Sequence, residues 1–442
     1  MRSATASSRL STRPLPLWTQ ASIIATAIGF GLLASYPTWF ALATGIVIAC
    51  ALGIAGEFPL LSIAILFSGV SFSFLGEVGV ASAGNLDAFR LALVLGGFAV
   101  ASLKNPSLLR PAEGLLTYAA FLFYSALATA WSPSAGDGLK LWLKLLYPAV
   151  IYLLTRQVLM KHGERAVVTL LGLGVGIAAA WNVAIWLSGL SPYVGAGYAG
   201  RFAGASHPNT IGLLCGAAGL ILYAAGGRSR TAATGAVICV AQLVATGSRT
   251  ALLAAGVGIS VFEGLSGRWR RAVFLGVLGV CIWAFLPAFG QRTSEAGADI
   301  GLAPFGSGLN LSGRLILWGD VWAALMGDAQ WVGRGLGATD VFMSSRYAGL
   351  KSVHSGYLLV LVDLGFTGLL LLLAFYIPRY IKNVGVALTR MQGPTPAMSA
   401  GLVAMFLVAS ITESTFAGYA FPSLVWIGIG MSDHQQPRAA VT

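Results

Sequence analysis

Apolar runs of about 16 to 24 residues follow one another along almost the whole chain, separated mostly by short polar turns. An α-helix needs about 20 mostly apolar residues to cross a hydrocarbon core of roughly 30 Å, so these runs match membrane spans. We predict spans at 19–36, 38–55, 58–76, 89–104, 114–132, 141–160, 166–188, 209–226, 231–247, 249–265, 272–288, 355–378, 397–413 and 417–432. The pattern predicts an all-α polytopic membrane protein with about 12–14 transmembrane helices.

Two connections interrupt the pattern, at 189–207 and at 289–353, and the second is the longest polar stretch of the chain. Within it, apolar residues recur at helical spacing over 312–326, which predicts an amphipathic helix near the membrane surface. The predicted organisation is a cytoplasmic tail, a first set of spans, a long periplasmic loop, a second set of spans and a short cytoplasmic tail. Their bounds are 1–18, 19–288, 289–353, 354–432 and 433–442. The first apolar run is expected to remain as an anchor and not to be cleaved as a signal peptide.

The composition supports a membrane protein and excludes a soluble one. Hydrophobic residues make up 57% of the chain, charged residues only 10%, and the mean hydropathy is +0.80. A soluble domain carries roughly a quarter charged residues. Each of the four cysteines lies inside an apolar run without a CxxC pair, so we expect lipid-buried or core positions for Cys50, Cys215, Cys239 and Cys281.

The net charge of +12 is unevenly distributed. With a cytoplasmic N-terminus, 17 of the 27 basic residues fall on the cytoplasmic side, as the positive-inside rule predicts. This distribution argues against nucleic-acid binding. The other ten fall on the outer side, where a basic residue is tolerated mainly when it binds an anion. They are Arg90, Lys140, Lys144, Arg201, Arg249, Arg292, Arg314, Arg334, Arg346 and Lys351.

Two of the four histidines, His207 and His354, lie at the predicted outer mouths of spans, each in a polar turn. A neutral imidazole can accept a proton from a hydroxyl near neutral pH, which most side chains cannot do. The remaining two, His162 and His434, lie in cytoplasmic segments and are interpreted as solvated residues without a catalytic role.

Three outer arginines are the candidate anion-binding groups, namely Arg201, Arg249 and Arg314. Arg249 follows a very tight turn in which Ser248 is a plausible N-cap, and Arg314 begins the amphipathic helix. Helix-end amides together with a guanidinium form a site for phosphate oxygens. The outer arginines Arg90, Arg292 and Arg346 are interpreted as interfacial anchors.

Two acids, Asp363 and Glu413, lie inside apolar runs, where an acid is usually paired or functional, and either could orient an arginine or a histidine. There is no HExxH, no DxD, no Walker loop and no glycine-rich nucleotide fingerprint. We therefore predict no metal and no cofactor. A glycan substrate would have to arrive already activated in the membrane.

Four patches together resemble the bacterial O-antigen ligase and polysaccharide polymerase superfamily, over about residues 195–375. The patches are GRFAGASHPN at 200–209, GSRTA at 247–251, SGRLILW at 312–318 with GRGLG at 333–337, and HSGY at 354–357 with LGFTGL at 364–369. The commonest family form has Asn after the motif histidine, where this chain has Ser355.

The resemblance implies a metal-independent membrane glycosyltransferase of the C type that uses an undecaprenyl-diphosphate-linked glycan. His354 would activate the acceptor hydroxyl, and the arginines at 201, 249 and 314 would hold the diphosphate. The other residues that we expect to support the site are His207, Asn209, Ser248, Arg334, Ser355, Tyr357, Asp363 and Glu413.

Members of this superfamily differ in the acceptor to which they transfer the glycan. A ligase transfers the glycan to a sugar of lipid A-core, whereas a polymerase transfers it to another lipid-linked repeat. We favour the ligase, with the polymerase as the alternative and a lipid or solute transporter as a third possibility. A transporter would place its site near the bilayer midplane, but the candidate residues here cluster at the predicted outer interface. The expected location is the bacterial inner membrane, with the site facing the periplasm.

Overall fold

The computed structural model describes residues 38–71, 84–109, 115–191, 202–226, 229–285, 314–325, 330–346, 353–389, 393–416 and 418–435, and all regular structure within them is helical. The helices are α1 Thr38–Ala55, α2 Glu57–Leu66, α3 Gly84–Lys104, α4 Leu115–Ala128, α5 Ala135–His162, α6 Glu164–Leu187, α7 Pro208–Ala225, α8 Arg230–Ala245, α9 Arg249–Leu265, α10 Trp269–Phe285, α11 Arg314–Leu325, α12 Ala338–Arg346, α13 Gly356–Leu388, α14 Pro394–Thr412 and α15 Ala420–Gln435. Thirteen of the fourteen predicted spans overlap one of these helices, and the span at 19–36 lies outside the described residues. The helix in the predicted span 58–76 ends at Leu66, earlier than predicted.

Five of these helices, α5, α6, α7, α13 and α14, are long and apolar enough to cross a membrane. Several shorter helices, among them α8, are also apolar. Both α8 and α10 expose large aliphatic or aromatic side chains. An all-helical chain with several such helices is consistent with a polytopic membrane protein.

Close packing of α9 against α14 sets the position of the site. The two helices approach at Gly258 and Gly401, where a Cβ atom on Gly401 would lie 2.4 Å from the Gly258 carbonyl oxygen. Small residues allow helix backbones to approach closely in membrane proteins. At one end of this pair, Thr250 Oγ1 lies 3.0 Å from Thr412 Oγ1, so the start of α9 meets the end of α14.

The centre of the bundle is aromatic. Trp426 of α15 is fully buried and stacks on Phe375 of α13, with ring centroids 4.6 Å apart. Tyr118 of α4 meets the same indole edge-on at 4.5 Å. These rings join α4, α13 and α15 into one core.

Helix α13 is interrupted at Gly365, whose φ of 66° is not helical. The interruption removes the regular helical partners of the carbonyls at 362 and 363 and of the amides at 366 and 367. The segment 330–335 replaces all four: Arg334 N and Gly335 N donate to the two carbonyls at 2.9 and 3.0 Å, and the two amides donate to the Gln330 and Trp331 carbonyls at 2.8 and 3.2 Å. A break in an apolar helix is tolerated where protein supplies the missing hydrogen bonds.

The same segment is held from its other side by the turn between α4 and α5. Ser132 Oγ donates to the Leu336 carbonyl at 2.7 Å, and Leu336 N donates to the Ala128 carbonyl at 3.2 Å. At Gly335 the backbone φ is 96°, and a Cβ atom there would lie 2.5 Å from Ser132 Cα. Only glycine fits this left-handed position without displacing backbone. Part of the predicted periplasmic loop is therefore built into the bundle.

The helix predicted at 312–326 is confirmed as α11, and its position relative to a membrane stays a prediction. Its inward face carries Leu317 and Val321, both buried, while Trp322 is exposed. The short helix α12 was not predicted, because its residues are mostly polar and carry no clear apolar stripe.

The interpretation of Arg90 as an interfacial anchor is wrong. Its side chain is buried, with a guanidinium that donates to the Phe67 and Val70 carbonyls and to the Tyr419 hydroxyl. The guanidinium also lies over the Tyr419 ring, 5.1 Å from the centroid. Arg90 therefore ties α3 to the end of α2 and the start of α15. Of the other two predicted anchors, Arg346 is exposed and lies over the Phe342 ring, and Arg292 is outside the described residues.

Charged contacts also occur at the end of the bundle where α5 and α15 finish. Arg379 donates to both oxygens of Asp433 at 2.5 and 2.6 Å, and Tyr152 donates to the same carboxylate at 2.5 Å. Lys161 and Glu57 pair at 2.8 Å at the same end. The end of the bundle that carries His207, His354 and Glu413 is called the histidine end. The end that carries the Arg379–Asp433 and Lys161–Glu57 pairs is called the opposite end.

Candidate active site

Glu413 lies at the centre of the histidine end, where side chains from several helices meet its carboxylate. It follows the last residue of α14 as the C-cap, with extended backbone angles, and its amide still bonds to the Ala409 carbonyl at 2.9 Å. The side chain is 12% exposed. A carboxylate this deeply buried requires partners for its charge.

Three residues from three other elements approach this carboxylate. Asn209 donates to Oε1 at 2.6 Å, and Arg314 donates to the same oxygen at 3.2 Å. A second Arg314 nitrogen donates to the Thr412 carbonyl at 2.6 Å. The other carboxylate oxygen, Oε2, lies 3.8 Å from His354 Nδ1. This separation is longer than a hydrogen bond.

The partners keep Glu413 ionised. The Asn209 amide and the positively charged Arg314 guanidinium both donate to Oε1, and donors of this kind favour the ionised form of a carboxyl. The carboxylate is therefore negative at neutral pH.

Four helices begin around Thr412 and Glu413, namely α7, α9, α11 and α13. Three have a capping side chain: His207 accepts from Asn209 N at 3.2 Å, Ser248 from Ala251 N at 3.3 Å, and Ser355 from Leu358 N at 3.3 Å. The fourth, α11, begins at Arg314. The predicted N-cap at Ser248 is confirmed. Helix N-termini carry partial positive charge, so this arrangement favours an anion.

His354 has an unusual backbone conformation. Its φ of 52° is the one positive value among the non-glycine residues of the described ranges. Such a conformation costs roughly 1 kcal/mol or more and persists when the surroundings impose it. Here Val353 is fully buried, its carbonyl accepts a bond from Trp318 Nε1 at 2.8 Å, and Ser355 caps α13 on the other side. The flanking contacts fix the position of the imidazole.

Two further predicted residues lie beside His354 without contacting Glu413 in the hydrogen bonds described. Ser355 caps α13, a role that the asparagine of the commonest family form could also fill. Tyr357 donates its hydroxyl to the Leu407 carbonyl of α14 at 2.8 Å.

Of the predicted diphosphate ligands, the structure brings two to this site. Arg314 contacts Glu413 directly, and Arg249 is the first residue of α9, half-buried, beside the Thr250–Thr412 contact. Arg201 lies outside the described residues. Arg334 lies in the segment inserted at the break in α13, with an exposed side chain.

Asp363 is fully buried and has a different set of partners. It accepts from the Gly337 and Thr339 amides, both at 2.8 Å, and from the Thr339 hydroxyl at 2.6 Å. All three donors belong to the segment that leads from the inserted loop into α12. The contacts described for Asp363 hold this loop against α13.

Sequence reasoning missed the Thr412 carbonyl and the indole of Trp318 as parts of this site. A backbone carbonyl gives no sequence signal. Trp318 was noted as an apolar position of the amphipathic pattern and within the SGRLILW patch, but not as a hydrogen-bond donor. Its spacing from Arg314 is the helical one that puts both on the same face. Within the described residues, no group of three or more His, Cys, Asp or Glu could hold a metal ion.

Comparison with known proteins finds a similarity for part of the chain. Residues 234–373 match the family model described as O-antigen ligase. It begins in α8 and ends in α13, and it includes Arg249, Arg314 and His354. The predicted resemblance is confirmed for this stretch. His207, Asn209 and Glu413 lie outside it. No curated protein matches the chain.

Proposed function

We propose that this protein is an O-antigen ligase-type glycosyltransferase. It would transfer a glycan from undecaprenyl diphosphate to a hydroxyl of a lipid A-core sugar at the periplasmic face of the bacterial inner membrane. The observation that carries the proposal is the pairing of His354 with the buried Glu413 carboxylate where four helices begin. His354, Arg249 and Arg314 lie in the stretch that matches the O-antigen ligase family.

His354 would act as the general base. With its Nδ1 directed at Glu413, the imidazole has its lone pair on Nε2. The acceptor hydroxyl gives its proton to Nε2 as its oxygen bonds to the anomeric carbon. The bond from that carbon to the diphosphate oxygen breaks, and undecaprenyl diphosphate leaves with the electron pair. Glu413 would orient the ring and stabilise the imidazolium that forms.

The diphosphate would lie against the converging helix N-termini, with Arg249 and Arg201 as its guanidinium ligands. Negative charge grows on the leaving diphosphate during transfer, and fixed positive groups stabilise such charge well. Arg314 already contacts Glu413 and Thr412, so it would contribute charge at the boundary between base and diphosphate. These groups supply the electrostatic stabilisation without a metal.

Sidedness and span number are part of the proposal. The excess of basic residues in the predicted cytoplasmic segments supports a periplasmic histidine end. The predicted 12–14 spans and the C-type glycosyltransferase architecture agree with the alternation of apolar helices and short turns.

The test is transfer by purified protein in liposomes, with a labelled undecaprenyl-diphosphate oligosaccharide supplied with or without lipid A-core. We expect a labelled product that depends on lipid A-core, and a loss of about 100- to 10,000-fold in rate for His354→Ala. The matched control is His434→Ala, because His434 is exposed in the last turn of α15 at the opposite end.

The outcomes separate the alternatives. Polymer formed from the lipid-linked glycan alone would identify a polymerase, and the absence of any covalent product from wild-type protein would contradict glycosyl transfer. Wild-type activity in a folded His354→Ala protein would overturn the assignment of the base.

A further inference from the structure

His207 is held in one tautomer by its own helix. Its Nδ1 accepts a hydrogen bond from the Asn209 backbone amide at 3.2 Å, as the N-cap of α7. A backbone N–H can only donate, so Nδ1 carries a lone pair there. The neutral imidazole then has its proton on Nε2.

The neighbouring carboxylate favours the other tautomer for His354. Its Nδ1 faces Glu413 Oε2 at 3.8 Å, and an ionised carboxylate can only accept. The neutral ring therefore carries its proton on Nδ1 and its lone pair on Nε2. The two imidazoles at the histidine end present opposite groups at the same ring position: His207 an N–H donor, and His354 an acceptor.

Asn209 connects the two histidines. Its backbone amide bonds to His207, and its side-chain amide donates to Glu413 Oε1 at 2.6 Å, while His354 faces the other oxygen of the same carboxylate. Asn209 is nine-tenths buried, so this connection is fixed by packing.

We propose that His207 is a further catalytic residue, which donates a hydrogen bond from Nε2 to an anionic oxygen of the lipid diphosphate and does not act as a base. The inference rests on the proposed function, because the anion is the leaving group of that reaction. No proton is transferred at His207. Its N–H stabilises the charge that the diphosphate gains as its bond to the anomeric carbon breaks.

The alternative is that His207 only caps α7. The two roles use different ring nitrogens, so they can be separated by substitution. Asparagine is a good N-cap and can replace the acceptor at Nδ1, but it does not reach the position of Nε2. Glutamine is one bond longer, and its amide can place an N–H near Nε2 while capping less well.

The experiment measures kcat and KM for a labelled undecaprenyl-diphosphate oligosaccharide, together with thermal stability, in His207→Asn, His207→Gln and wild-type protein in liposomes. His434→Asn is the matched control. We expect His207→Asn to keep wild-type stability and to lose about 10- to 100-fold in kcat. His207→Gln should recover much of that loss, even if its stability is lower. Affinity for undecaprenyl diphosphate, measured directly on the same proteins, should fall in His207→Asn and return in His207→Gln.

Full activity and unchanged affinity in His207→Asn would overturn the proposal, leaving His207 as a cap. Equal inactivity of both stable variants would also overturn it, because that pattern indicates a base. Wild-type protein that forms no product would instead contradict the proposed function. The affinity measurement then still tests His207 as a diphosphate ligand.

Discussion

Glu413 and Asp363 are both buried acids, but their surroundings differ. Asp363 accepts from two backbone amides and one hydroxyl of a loop, so its contacts join two parts of the chain. Glu413 has donors from side chains, Asn209 and Arg314, and a histidine at 3.8 Å. The contrast teaches that burial of an acid does not identify its role. The chemistry of its partners does.

The strongest test of the contrast is Glu413→Gln. An amide nitrogen facing His354 Nδ1 would donate to it and favour the tautomer with the proton on Nε2, which cannot act as a base. We expect kcat to fall by about 100-fold or more with little change in KM. Glu164→Gln at the opposite end is the control, since Glu164 contacts only Gln435 among the hydrogen bonds described. Retained kcat in Glu413→Gln would mean that Glu413, like Asp363, has a structural role and that the contrast between the two acids does not hold.

Asp363→Asn should show the reverse pattern. The new amide nitrogen would face either the Gly337 amide or the Thr339 donors, so donor would oppose donor and a buried group would lose its partner. We expect a loss of about 1–3 kcal/mol in stability with near-normal activity per folded molecule. Thermal unfolding in detergent and the specific activity of the folded fraction measure the two quantities. A selective loss of kcat without loss of stability would place Asp363 in the catalytic group instead.

Thr339→Val should have the smallest effect. It removes the hydroxyl bond to Asp363 and keeps both the side-chain shape and the backbone bond. We expect a loss of about 0.5–1.5 kcal/mol in the same unfolding assay, and unchanged transfer. The matched control is Thr389→Val, whose exposed hydroxyl bonds only locally to the Val386 carbonyl among the contacts described. A larger loss than in Asp363→Asn would contradict the assignment of the carboxylate as the centre of this contact.

Local patterns predicted most of the helices and several of their starts. The apolar runs are long and regular, and the cap at Ser248 is encoded by its immediate neighbours. The same local reasoning placed Arg314 at the start of α11, and it gathered the residues of the site without giving their contacts.

The remaining features depend on residues far apart in sequence. Nothing near Gly365 indicates that residues 330–335 will replace its helical hydrogen bonds. Likewise, Arg90 looked like an interfacial arginine because its partner Tyr419 lies more than three hundred residues away. Distinguishing Asp363 from Glu413 required the same long-range information, since both sit in similar apolar runs.

The break in α13 has a consequence for the order of synthesis. Every backbone partner of the interrupted turn, at 330–335, precedes α13 in the chain, so these partners already exist when the helix leaves the ribosome. Glu413 follows His354 by 59 positions and comes directly after the last residue of α14, the next helix in the chain. A nascent chain that has just completed α13 therefore already contains every residue that bonds to the break in this helix. The carboxylate that faces His354 is synthesised later, after the end of α14.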